Sequence, residues 1–382
     1  GFNRGMAQFS PFDQQMMSLA LQEARKALYL SNPNPRVGCV ISKGDKILGQ
    51  GYTQSVGSNH AEIEAIANAR HQGASDSDLH GSTVYVSLEP CSHIGRTPPC
   101  CDALEQIRPA RVVIAMQDPN PKVAGQGIAR LQKLGIDVKV GLLAKESAEL
   151  NPGFIKRMTQ GLPFVRMKIA ASFDGRTALA NGQSQWITGV AARADGHHWR
   201  AQACAILSGG GTVREDDPQL TVRDVMTERQ PLRVIVDSHL ETPLNAKVLK
   251  DANVLLVCAN PEPKHLITMR DALKEKGISV LELPNPKGKV DLPTLFSYLA
   301  EKREINEVHV EAGFKLNGSL VRENCVDELL IYQAPCFLGD GLGMANIASL
   351  DQLANRKNWM IIEHCLIGGD LRIRAVRSKE TK

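Results

Sequence analysis

The stretch Thr83-Val84-Tyr85-Val86-Ser87-Leu88-Glu89-Pro90-Cys91 begins with β-branched and aromatic residues and stops at a proline. It predicts a strand over 83–88 that delivers Glu89, Pro90 and Cys91 at its C-terminal end. His60-Ala61-Glu62 stands upstream and Pro98-Pro99-Cys100 downstream. One histidine and two cysteines can hold a zinc ion and leave a fourth position open for water, which distinguishes a catalytic site from a closed structural one. Glu62 lies two residues past the histidine and is free to stay off the metal.

Ligands His60, Cys91 and Cys100, with Glu62 as a non-ligand acid/base, form the constellation known for zinc deaminases as a class. The spacing departs from the short P-C-x-x-C form. Eight residues separate the two cysteines, and they include His93 and Arg96, as if the insert faced a polar substrate. The bland alternative is a surface loop between unrelated residues. The order of the three motifs favours the metal.

The chain has 382 residues, 43% hydrophobic and 23% charged, which predicts a soluble globular protein of two or three domains. No apolar run approaches the ~20 residues of a membrane span. A net charge of +4 without a dense basic block argues against nucleic acid and suits a small phosphorylated substrate. Nine scattered cysteines without a signal peptide read as reduced cytoplasmic thiols. Residues 1–5 precede Met6 and read as an addition outside the fold.

Apolar spacing predicts a helix over 13–30, broken by Ser31-Asn32-Pro33-Asn34-Pro35. A strand at 37–41 and a hairpin partner at 47–52 follow. A helix over 60–70 places His60 and Glu62 at its N-terminus, where the helix dipole favours negative charge. Further helices are expected at 98–107, 124–134 and 143–160, and strands at 111–116 and 138–140. This alternation predicts an α/β sandwich around a central sheet, with ligands at the C-terminal strand ends. Cys91 and the loop Asp118–Asn120 both fall there.

Asn151-Pro152-Gly153 and Gly161-Leu162-Pro163 bracket a domain boundary. Beyond it, strands are expected at 164–171, 204–207, 233–237, 253–258 and 307–311, with a helix at 191–203. Two closing strands near 327–333 and 360–373 would pair, and the tail after about Arg374 would be poorly ordered. Ser208-Gly209-Gly210-Gly211-Thr212-Val213 lacks the second half of G-x-G-x-x-G; alone it is a weak phosphate-loop signal that a flexible turn explains as well, and its position after a strand raises the phosphate reading. The second half is therefore an α/β domain without a Rossmann fingerprint.

His60-Ala61-Glu62, the run 83–100, the segment 111–125, and the later KIAASFDGRTA, SQWITG, RAQACAILSGGGTVREDDPQLTVR and VHVEAG closely resemble the bifunctional deaminase-reductases of bacterial riboflavin biosynthesis. The resemblance covers nearly all of residues 10–345. It implies a cytidine-deaminase-like three-layer α/β/α domain over 6–150 and a dihydrofolate-reductase-like α/β domain over 163–375. It also implies zinc-dependent deamination of a diaminopyrimidinone ribosylamino 5′-phosphate, then NADPH-dependent reduction of ribosyl to ribityl. The family's zinc ligands fall on His60, Cys91 and Cys100, and its proton shuttle on Glu62. Cys101 makes the third ligand ambiguous, and Cys100 is preferred because it directly follows Pro98-Pro99.

By the same resemblance, Asn34, His93, Asp118 and Asn120 line the deaminase pocket, although turn chemistry alone would explain Asn34 and Asn120. NADPH is placed against Ala170, Trp186, Thr212, Asp216, Ser238 and the run Gly313, Phe314, Lys315, Leu316, Asn317, Gly318 and Ser319. The reductase substrate falls on Lys168, Ser184, Arg200, Leu220, Arg223 and Glu311, with Asp174 either touching substrate or capping a turn. Arg200 and Arg223 offer planar donor forks suited to phosphate. Trp186 as a residue alone reads as core, and its SQWITG context reads as cofactor contact. A homodimer or tetramer in the cytoplasm is implied as well. Two other readings remain: a nucleic-acid-editing deaminase, which would need a basic, aromatic-rich surface, and a non-catalytic zinc-stabilised binding protein, which would not need Glu62.

Overall fold

The computed structural model describes residues 8–378. The chain forms two compact units that part between Gly161 and Leu162. In the first unit the elements run α1 (Pro11–Arg25), β1 (Gly38–Lys43), β2 (Lys46–Tyr52), α2 (Ala61–His71), α3 (Asp76–Leu79), β3 (Thr83–Val86), α4 (Cys100–Ile107), β4 (Arg111–Ile114), α5 (Gln126–Lys133), β5 (Asp137–Val140), α6 (Ala144–Leu150) and α7 (Pro152–Gln160).

The first sheet has the order β2-β1-β3-β4-β5. β1 runs antiparallel to β2 and β3, whereas β3, β4 and β5 are parallel. Successive strand residues point to opposite faces, and the two faces bury different sets. Val84, Val86, Val112 and Ile114 join Ala61, Ala65 and Leu104 on one side. Tyr85 and Val113 join Met16, Met17 and Ala20 on the other. Helices on both faces give the three layers expected.

α1 starts at a capping box in which Ser10 and Asp13 exchange side-chain-to-backbone bonds. It ends at Arg25, short of the expected residue 30. From Lys26 onward the N–H groups reach back three residues, Lys26 to Glu23 and Ala27 to Ala24, so the α-helix tightens into turns. The segment expected as one helix over 143–160 is two, α6 and α7. At their junction Asn151 accepts the Arg36 N–H at 2.7 Å and donates to the Arg36 carbonyl at 2.9 Å.

The second unit comprises β6 (Phe164–Ser172), β7 (Ala178–Leu179), α8 (Val190–Gln202), β8 (Ala205–Gly209), α9 (Gly210–Asp216), β9 (Leu232–Val236), β10 (Val254–Cys258), α10 (Pro263–Glu275), β11 (Ser279–Glu282), α11 (Leu292–Arg303), β12 (Glu307–Val310), α12 (Phe314–Arg322), β13 (Glu328–Ala334), β14 (Gly341–Leu342), β15 (Trp359–Ile367) and β16 (Asp370–Arg377). Nine strands form one sheet in the order β11-β10-β9-β8-β12-β6-β13-β16-β15. It is parallel from β11 to β13, and β16 and β15 are antiparallel additions.

Three expectations need correction here. The run 360–373 is a hairpin of β15 and β16, turned at Gly368 with φ +61°, and β16 rather than β15 pairs with β13. The chain past Arg374 stays in strand to Arg377, which pairs with Asp327 at 3.2 Å; residues 379–382 and the leading residues 1–5 lie outside the described residues. The glycine run is not a flexible turn: Gly209 ends β8 and Gly210 opens α9 without positive φ.

α1 presses on β1 where Gly38 lies: a Cβ there would stand 1.7 Å from the Ala20 carbonyl oxygen. It would also stand 2.6 Å from the Ala24 backbone nitrogen, and neither backbone atom can rotate away. Gly38→Ala should destabilise the first unit by about 1–3 kcal/mol as overpacking, read as a lower midpoint in urea unfolding followed by a probe in that unit. An unchanged midpoint would refute the close approach.

Candidate active sites

Each ligand candidate reaches the first site from a different element. His60 is the N-cap residue of α2, Cys91 follows the turn after β3, and Cys100 is the first residue of α4. The ring Nδ1 of His60 lies 3.3 Å from Cys100 Sγ and 3.8 Å from Cys91 Sγ, and all three donor atoms lie within 4.8 Å of one another. Tetrahedral zinc with its usual bond lengths holds N and S donors roughly 3.5–3.8 Å apart. The donor set fits that ion. Among the described residues this is the one such His/Cys/Asp/Glu group.

The ambiguity between the adjacent cysteines is resolved by helix geometry. Neighbouring helical residues point about 100° apart. Cys101 is fully buried on the far side, its thiol directed at the carbonyls of Pro90 (3.8 Å) and Gly127 (3.9 Å). The Cys100 N–H donates to Cys91 Sγ at 3.2 Å. The Cys100 thiol and His60 also pull the Cys91 thiol down, so a thiolate ligand is readily available there.

A cleft of about 270 Å³ opens beside these groups. His60, Glu62, Cys91, Asn34, His93, Asp118 and Asn120 all line it, as the sequence suggested. Glu62 is 4% exposed, and burial, then the Cys91 charge, push its carboxyl up to about 7. Asn120 also serves the turn: its Oδ1 accepts the Lys122 N–H at 3.1 Å, and its own N–H donates to Asp118 Oδ1 at 2.9 Å. Burial raises the Asp118 carboxyl above its ordinary range.

Sequence reasoning missed one wall. Phe154, Arg157 and Met158 of α7 line the cleft. Their i, i+3, i+4 spacing on a helix opened by Pro152 was the available signal. Glu89, also lining it, was noted only as part of the strand end.

In the second unit Glu311 gathers a buried charge cluster. Its carboxylate accepts Arg200 Nε at 3.0 Å, Arg200 Nη2 and His309 Nε2 at 3.0 Å, with Lys168 Nζ at 3.6 Å. Burial pushes Glu311 up, but the Arg200 and Lys168 charges outweigh it and hold the carboxyl well below its usual range. Burial keeps His309 below its ordinary value despite Glu311. The donor fork of Arg200 is therefore already engaged, and its Nη1 donates to the Thr221 carbonyl at 2.9 Å. Arg223 is the more open cation, donating through Nη1 to Gln219 Oε1 and Thr221 Oγ1.

The remaining candidates divide. Gly209 and Gly313 bring the ends of β8 and β12 together, with side chains at these positions meeting Leu316 Cδ2 at 3.3 Å and Thr212 Oγ1 at 3.6 Å. This bare cradle at the C-terminal strand ends, with the first turn of α12 above it, fits a dinucleotide phosphate. Lys315 and Ser319 ride on α12, Ala170 sits on β6, and Asp216 closes α9. Ser238 follows β9, its carbonyl accepting the Ala259 N–H at 3.0 Å. Ser184 precedes Trp186, which is 66% exposed beneath the Arg193 guanidinium at 4.3 Å, so the core reading fails for it.

Other candidates face elsewhere. Asn317 donates to the Met344 carbonyl at 3.0 Å, a Cβ on Gly318 would strike Asn346, and the Phe314 carbonyl accepts the Asn346 N–H at 3.0 Å. That part of the run packs on the loop 344–346. Leu220 puts its side chain in the core, leaving only backbone for a ligand. Asp174 caps its turn, accepting from Ser172 and from the N–H groups of Leu338 (3.1 Å) and Gly339 (2.8 Å).

Residues 10–116 match the family model of the cytidine and deoxycytidylate deaminase zinc-binding region, and residues 163–372 match the RibD C-terminal domain. The riboflavin biosynthesis protein RibD of Escherichia coli K12 is 42% identical, covering 94% of this chain and 98% of that one. Its Haemophilus influenzae counterpart is 42% identical over 96% and 98%. Among solved structures, Acinetobacter baumannii RibD superposes with a TM-score of 0.88 at 39% identity, covering 96% of this chain and 99% of that one. A Thermotoga maritima structure described as a diaminohydroxyphosphoribosylaminopyrimidine deaminase/5-amino-6-(5-phosphoribosylamino)uracil reductase superposes at 0.81 with 30% identity, over 96% and 98%.

Two outcomes follow from the geometry. Cys100→Ser should lose bound zinc, whereas Cys101→Ser should keep it, as metal analysis of dialysed protein will show; equal loss in both would refute the ligand assignment. Glu311→Gln leaves Arg200 and Lys168 without their counter-charge and should cost about 3–5 kcal/mol, seen as early denaturant unfolding of the second unit. Unchanged unfolding would refute the cluster.

Proposed function

The chain belongs to the RibD family of riboflavin biosynthesis proteins, and from that premise we propose how its two sites act in succession. The first deaminates 2,5-diamino-6-ribosylamino-4(3H)-pyrimidinone 5′-phosphate. The second reduces the ribosyl group to ribityl with NADPH, giving 5-amino-6-(5-phosphoribitylamino)uracil. The observation that carries this reading is the joining, in one chain, of an open three-donor His60/Cys91/Cys100 site beside Glu62 to a reductase unit.

Zinc at the first site supplies Lewis acidity and an activated water. The protein does the rest. The cleft presents Asn34, His93, Asp118 and Asn120 to the pyrimidine. Glu62, buried with a carboxyl at about 7, holds or releases a proton at its carboxylate oxygens near neutral pH and can carry it to a ring nitrogen and then to the departing amine. In the second unit the cofactor supplies hydride, and the strand-end cradle and Trp186 orient it. Arg223 holds the sugar phosphate, and Glu311 fixes Arg200 and Lys168 in place.

Nine free cysteines suit a reducing cytoplasm, and no helix among the described residues is long and apolar enough to cross a membrane. We place the protein there as a homo-oligomer. A nucleic-acid deaminase is not favoured, because aromatics are only 4% and the second unit is a reductase domain.

Purified zinc-loaded protein should release ammonia from the substrate without NADPH, and should oxidise NADPH once it is added. Glu62→Gln should reduce ammonia release at least about 100-fold while keeping its zinc and still reducing the deaminated intermediate. Full ammonia release by this variant, or none by the wild type with zinc bound, would overturn the deaminase assignment.

A further inference from the structure

Glu89 lines the deaminase cleft, yet the reaction above gives it no task. It is 5% exposed. Oε1 accepts the N–H of Asp118 at 2.9 Å and of Gly125 at 3.0 Å, and Oε2 accepts the N–H of Ile128 at 3.0 Å. Its own N–H donates to the Met116 carbonyl at 3.0 Å, just past β4.

These donors bracket one loop. Asp118 opens it, Gly125 closes it at φ +83°, and Ile128 lies in the first turn of α5. α5 has no side-chain cap of its own, so a carboxylate from the segment after β3 satisfies the Ile128 N–H that an N-cap side chain would normally take. Inside the loop the order passes from Asp118 to the Asn120 N–H, and from Asn120 to the Lys122 N–H. The α5 turn also sits flush on the ligand loop: a Cβ on Gly127 would stand 2.0 Å from the Pro90 carbonyl oxygen and 3.3 Å from Glu89 Cγ.

We infer that Glu89 is a positioning residue for deamination, its carboxylate fixing the loop 118–125 and thereby setting Asp118 and Asn120 against the pyrimidine. This rests on the deaminase reading above. Only an acceptor on both oxygens meets the need. A glutamine of the same shape turns its amide N–H groups on at least one of the three N–H donors, whichever way it is flipped. The residue that precedes the ligand Cys91 by two thus couples the metal side of the cleft to its substrate side.

The test compares wild type, Glu89→Gln, Asp118→Ala and the double variant in deamination kinetics, zinc content and NADPH-dependent reduction of the deaminated intermediate. Glu89→Gln should keep one zinc per chain and wild-type reduction, and raise the deamination KM about tenfold with kcat within about threefold. Added to Asp118→Ala, it should change KM little, because both act through one loop. Hydrogen exchange at the Asp118, Gly125 and Ile128 amides should be slow in the wild type and accelerated in Glu89→Gln. A wild-type KM, effects that multiply in the double variant, or a deficit explained wholly by lost zinc would overturn the inference. Where Glu89→Gln does not fold, exchange in the wild type decides it: unprotected amides at those three positions refute the clamp. A wild type that releases no ammonia would instead refute the deaminase reading, and the exchange result would stand separately.

Discussion

The parallel register of β3 on β4, Val86 opposite Ile114, is the constraint on which the first site depends. Parallel neighbours end on the same edge of a sheet. The turn carrying Glu89 and Cys91 and the loop carrying Asp118 and Asn120 therefore emerge side by side, although they are distant in sequence. α2 and α4 then bring His60 and Cys100 to that edge by their N-termini. Antiparallel pairing would have sent ligands and substrate loop to opposite ends.

The two sites resolve the same electrostatic conflict in opposite directions. Glu62 and Glu311 are both buried carboxylates, and burial alone disfavours charge on each. Around Glu62 the Cys91 thiolate adds its negative charge to the effect of burial and together they outweigh His60, so the carboxyl rises to about 7. Around Glu311 stand Arg200 and Lys168, whose attraction prevails, so the carboxylate stays ionised. The first arrangement makes a group that exchanges protons near neutral pH. The second makes a fixed charge that orients Arg200 and Lys168.

What was legible in the sequence was whatever local chemistry dictates. His60-Ala61-Glu62 and Glu89-Pro90-Cys91 announce themselves because metal ligands and proline-terminated strands have short signatures. The preference for Cys100 over Cys101 rests in the sequence on the preceding Pro98-Pro99 alone, and the helix phase supplies its physical reason, since both belong to the same turn of α4. The hairpin within 359–377 was hidden because β15 and β16 together read as one long β-prone run, broken only at Gly368 and Gly369. The Arg200 fork looked free for phosphate because its partner Glu311 lies on another element. Long-range pairings of this kind leave no periodic trace.

α7 shows where a domain limit drawn from composition meets the limit drawn by chemistry. Asn151-Pro152-Gly153 has the composition of a linker, and an expectation of 6–150 stops there. Yet Phe154, Arg157 and Met158 wall the cleft, and the compact unit runs on to Gly161. Pro152 starts this helix rather than ending the domain, because a proline at the first helical position removes only an N–H that would have had no partner. Asn151 meanwhile bonds Arg36 in both directions and ties the start of α7 to the segment just after Asn34 and Pro35. A protein cut at residue 150 would keep every metal ligand and lose one wall of the cleft, so metal binding and substrate recognition have different boundaries within the same unit.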